Sequence, residues 1–73
     1  MCDIRKELKD RARLARGLVN GLGCDIDYLY SDADSFDIIC LEESIRESKE
    51  MIQKLTDNIT EIEYLLYLVK KND

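Results

Sequence analysis

The sequence predicts an all-α protein: a helical hairpin of a short N-terminal helix and a long coiled-coil C-terminal helix, dimerising into a helical bundle. Three observations predict it. Apolar residues make up 45% of the chain and charged residues 37%, with no proline and only three glycines, a mixture that favours helices over disorder. Apolar residues recur at gaps of three and four through the second half, the spacing of one helix face. At 73 residues the chain has room for one domain, and chains this short bury too little surface to be stable without disulfides, metal or a partner. A Met start with no signal-like apolar segment after it leads us to expect a complete small gene product.

The first helix is expected over about 4–20. Asp3 is its N-cap, and Ile4, Leu8, Ala12, Ala15, Val19 and Leu22 form its apolar stripe. Arg5, Lys9 and Arg16, flanked by Lys6 and Arg13, give it a basic side. Asn20-Gly21-Leu22-Gly23 has the form of a Schellman stop, with a left-handed glycine followed by an apolar residue. An acidic connector is then expected over about 24–33, followed by turn and cap chemistry in Ser31 to Ser35. The alternative is a β-hairpin from Cys24–Tyr30 and Phe36–Cys40. It lacks a third strand to pair with.

The long helix is expected over about 34–71. Its heptads place Ile38, Ile45, Ile52, Ile59 and Leu66 at position a, and Leu41, Ser48, Leu55, Ile62 and Val69 at position d. Such a helix is roughly 55 Å long at 1.5 Å per residue, about twice helix 1, which would cover only its first half. The uncovered half supplies the expected oligomer interface: Ile52, Leu55, Ile59, Ile62, Leu65, Leu66 and Val69. The competing architecture is a three-helix bundle broken near Thr56–Asn58, where Asn58 and Glu61 resemble a capping box.

The chemistry points away from catalysis. The chain has no histidine and no recognisable nucleophile motif, so we expect no enzyme and no cofactor. Asp32 to Glu43 has the length of an EF-hand loop, but Phe36 and Asp37 stand where an oxygen ligand and the turn glycine belong, so no metal is expected. Cys2, Cys24 and Cys40 show neither CxxC nor a histidine partner and read as reduced thiols. Together with the lack of a membrane-spanning run, they suggest a cytoplasmic protein (host cytoplasm if viral), of the size common among phage and regulatory products.

Of the net charge of −5, residues 1–23 hold six cations and three acids (+3), residues 24–50 two and nine (−7), and residues 51–73 three and four (−1). Three candidate partner surfaces follow: the basic Arg5, Lys9 and Arg16; the acidic Asp25, Asp27, Glu43 and Glu50; and the aromatic Tyr64 and Tyr67. Folding helix 1 back is expected to bring its cations near Glu42, Glu43, Glu47 and Glu50. The expected function is a non-enzymatic protein–protein interaction module, a small homo-oligomeric coiled-coil adaptor, assembly factor or stoichiometric inhibitor. Its partners are itself and a larger protein, with no membrane. The alternatives are a nucleic-acid-linked regulator using the basic face, or an acidic mimic of nucleic acid.

Overall fold

The computed structural model describes residues 3–71, so Cys2 lies outside the described residues. Two antiparallel helices, α1 (Ile4–Ser35) and α2 (Ile38–Lys71), form a hairpin measuring 54 × 15 × 14 Å. The expected all-helical hairpin is present, but its proportions are not those expected. Helix 1 is not short: it spans 32 residues, and the stretch assigned to an acidic connector is its second half. It therefore covers α2 from end to end.

Asp3 caps α1 as expected, its carboxylate accepting from the Lys6 amide at 3.3 Å. The Schellman stop exists, but at Phe36 rather than Gly21. Phe36 is left-handed (φ 57°, ψ 39°), its amide donates to the Ala33 carbonyl, and the Asp37 amide donates to the Asp32 carbonyl. Asp37 then caps α2 by accepting from the Cys40 amide at 3.2 Å. A two-residue link suffices for antiparallel neighbours. Because a side chain at positive φ costs about 1 kcal/mol, Phe36→Gly is expected to raise the unfolding free energy by about that much in thermal melts. A decrease would show that the phenyl ring makes a contact of its own.

Helix 1 crosses its glycines because the seam continues through them. Leu18, Leu22, Asp25, Leu29 and Asp32 keep the spacing of three and four and all are partly covered. That packing offsets about 1 kcal/mol per helical glycine. Gly21 also lets the helices approach, since a Cβ there would lie 3.2 Å from the Met51 methyl. The acids at the end of α1 oppose its own dipole, but the hairpin sets them beside the positive N-terminal end of α2. There Ser44 donates to the Asp32 carboxylate at 2.7 Å.

Helix α2 runs unbroken through Thr56-Asp57-Asn58, so the three-helix alternative does not hold. Asn58 is no cap: it is 4% exposed in the seam, donating through Nδ2 to the Arg11 carbonyl at 2.8 Å and accepting from Arg11 Nη1 at 3.4 Å. Asp32 to Glu43 is helical on both sides of the turn and forms no EF-hand loop.

Candidate protein-interaction surface

The inter-helix bonds identify the faces that meet. Arg11–Asn58, Asp32–Ser44 and the Gly21–Met51 approach place the row Ile4, Arg11, Leu18, Asp25, Asp32 of α1 against the row Ser44, Met51, Asn58, Leu65 of α2. Beside each lies a second inner row, Leu8, Ala15, Leu22, Leu29 and Leu41, Ser48, Leu55, Ile62, Val69. All these side chains are buried or partly covered.

Next round each helix, by about 50° in a coiled coil of 3.5 residues per turn, comes a third row that is also apolar. On α2 it holds Ile38, Ile45, Ile52, Ile59 and Leu66, which are 43–59% exposed. On α1 it holds Arg5 at the open end, then Ala12, Val19, Ile26 and Ala33, likewise exposed. In an antiparallel pair, rows that flank equivalent seam positions fall on the same side. The two outer rows therefore border one apolar face running along the hairpin, with Arg5 at its open end. The opposite side is mixed, with clefts lined by Arg11, Leu14, Lys54 and Glu61 near the open end and by Tyr28, Asp32, Cys40 and Glu47 near the turn.

Of the residues expected at an oligomer interface, Ile52, Ile59 and Leu66 lie on this outer row. Leu55, Ile62, Leu65 and Val69 are in or beside the seam with α1, because α1 is long enough to reach them. The outer row on α1 was missed as an interface. Its signal was present: Ala12 and Val19 belong to the predicted stripe, and Ile26 and Ala33 continue it at steps of seven.

The charged surfaces also separate. Arg5, Lys9 and Arg16 are exposed near the open end, whereas Glu42, Glu43, Glu47 and Glu50 lie toward the turn, beside the acidic half of α1. The cations therefore do not cover those acids, as folding back a short helix would have required. Among the described residues the one ion pair is Arg46–Glu43 at 3.5 Å within α2, worth little at the surface. Asp27, Glu43 and Glu50 are exposed, but Asp25 is partly covered in the seam. Tyr64 and Tyr67 are exposed on the outer side of α2.

Cys24 and Cys40 are free thiols. The Cys40 thiol is raised from its ordinary value, first by its hydrogen bond to the Asp37 carboxylate, then by that charge, partial burial and the charges of Asp32 and Glu43. The neutral form is favoured, the reverse of an activated nucleophile. No group of three side chains able to hold a metal occurs among the described residues, and none of their helices is long and apolar enough to cross a membrane.

No family model matches the chain, and neither a curated protein nor a solved structure resembles it significantly.

The interior explains why the apolar face matters. Among the described residues Leu65, 8% exposed, is the one buried hydrophobic residue, and none of their large side chains is fully enclosed. The accessible surface is 6114 Å², against about 4,700 Å² for a compact monomer of this mass. Two helices side by side cannot enclose a core. A third and fourth can.

Proposed function

We propose that the protein is a non-enzymatic interaction module that works as a homodimer, two hairpins closing into a four-helix bundle over the apolar face. The observation that carries this reading is the offset of the apolar stripe from the seam. On both helices the stripe spans the inner rows and one outer row, so its centre points between the partner helix and the open side. A helix patterned this way has two apolar neighbours, as in a four-helix bundle. The face runs along a hairpin 54 Å long, and a stable protein–protein interface takes about 800 Å² per partner.

The dimer would then serve as an adaptor, assembly factor or inhibitor, presenting its charged outer surfaces to a larger protein. The free thiols suit a reducing compartment. Sedimentation at tens of micromolar should give twice the chain mass of 8.5 kDa, with a melting temperature that rises with concentration. A single-chain mass with full helicity at all concentrations would overturn the reading.

A second reading is supported by the exposed cations Arg5, Lys9 and Arg16, which make no ion pair among the described residues: contact with nucleic acid or an acidic protein. Retention on a nucleic-acid column that falls steeply with salt, and is lost on reversing these three charges, would favour it.

A further inference from the structure

Resting on the self-association reading, we propose an orientation for its partner: the second copy docks with its turn beside the turn of the first, so that α1 of each hairpin packs on α2 of the other.

Two arrangements would bury both apolar faces about a two-fold axis. With turns together, the small outer row of α1 meets the large outer row of α2. Ala12 then lies over Ile59 of the second copy, Val19 over its Ile52 and Ile26 over its Ile45. The levels agree, because the Gly21–Met51 and Arg11–Asn58 approaches already set Val19 near the level of Ile52 and Ala12 near that of Ile59 within one hairpin. With turn against termini, isoleucine must face isoleucine along α2 while alanine and valine face one another along α1. That leaves one edge overfilled and the other open. Interdigitating small with large side chains is what fills a bundle core.

The charges beside the outer rows point the same way. Lys9 stands one turn before Ala12, and Glu63 one turn after Ile59. With turns together each Lys9 faces Glu63 of the second copy, and Glu42 faces Tyr30. In the other arrangement Glu42 faces Glu63, twice by symmetry. Placing two acidic turn ends together is tolerated, because Asp27, Asp34, Glu43 and Glu50 project from the outer surfaces. Charges there, more than a Debye length of about 8 Å apart, are screened at physiological salt.

The test uses the full chain with Cys2, Cys24 and Cys40 replaced by serine, spin-labelled at Asp34→Cys or, separately, at Lys70→Cys, and measured by pulsed dipolar spectroscopy. Helices packed 8–10 Å apart put both label pairs at roughly 25–30 Å when the turns lie together. The opposed arrangement puts both at roughly 45–55 Å, from a rise of 1.5 Å per residue. Long distances at both sites would overturn the orientation while leaving self-association standing. Absence of any dipolar signal, with a single-chain mass in the same sample, would overturn self-association itself. As a second measurement, Lys9→Glu should raise the dissociation constant about fivefold, the scale of two exposed ion pairs, and adding Glu63→Lys should restore it. No restoration, with the dimer intact, would also count against the orientation.

Discussion

Leu65→Asp is expected to abolish folding, whereas Ile59→Asp, six residues earlier on the same helix, is expected to abolish only association. Among the described residues Leu65 is the one buried apolar side chain of the seam. An unpaired carboxylate there costs several kcal/mol, comparable to everything a small helical chain has to spare. Its far-ultraviolet circular dichroism should be that of a largely unfolded chain even in the cold. Ile59 is 43% exposed in the hairpin, so an aspartate there stays hydrated until a second copy covers it. The expected result is a chain that remains helical in the cold and sediments as a monomer. Its melting temperature should be lower than that of the parent and no longer depend on concentration. If Ile59→Asp kept the dimer, the apolar face would not be the interface. If it unfolded the chain as completely as Leu65→Asp, the hairpin would not be stable without its second copy.

Asn58→Ala is expected to cost about 1–3 kcal/mol, the range for loss of a buried hydrogen-bonding group, while Arg11→Ala costs distinctly less. The reason is which atoms meet. Asn58 Nδ2 donates to the backbone carbonyl of Arg11 at 2.8 Å, a bond that survives truncation of the arginine side chain. The guanidinium contributes the longer 3.4 Å contact and keeps access to solvent. Asn58→Leu should recover most of the loss, since it refills the seam with an apolar side chain of similar size. It would also remove the polar contact that singles out one helix register. Denaturant titration of the three variants checks the order. Equal losses for Arg11→Ala and Asn58→Ala would show that the side-chain contact, not the backbone bond, holds the helices in register.

The helical class, the hairpin, the Asp3 cap and the unbroken run of α2 were legible in the residues alone, because these depend on local propensity and on a spacing repeated without a slip. Its apolar stripe was read correctly as a pattern, but only part of it lies outside the hairpin: Leu55, Ile62, Leu65 and Val69, expected at an oligomer interface, are covered by α1. Position a of the predicted heptad, Ile38 to Leu66, faces outward, and Ser44, Met51, Asn58 and Leu65 take its place in the seam. Hydropathy alone favours isoleucine over serine and asparagine for a core. Close approach of two helices instead favours small side chains, and a long-range bond such as Asn58–Arg11 makes a buried amide acceptable.

The end of α1 was misjudged for a related reason. Gly21, Gly23 and the acids from Asp25 to Asp34 are locally poor helix material. Only the presence of α2, with its seam continuing past Leu29, its Ser44 hydroxyl on Asp32 and its positive N-terminal end beside the acids, makes helix the better state to Ser35. Tertiary structure thus decided where the chain turns, which apolar row is spent inside the hairpin and which is left outside. Each of those outcomes depends on what stands opposite a residue, and a list of residue types along one chain does not carry that information.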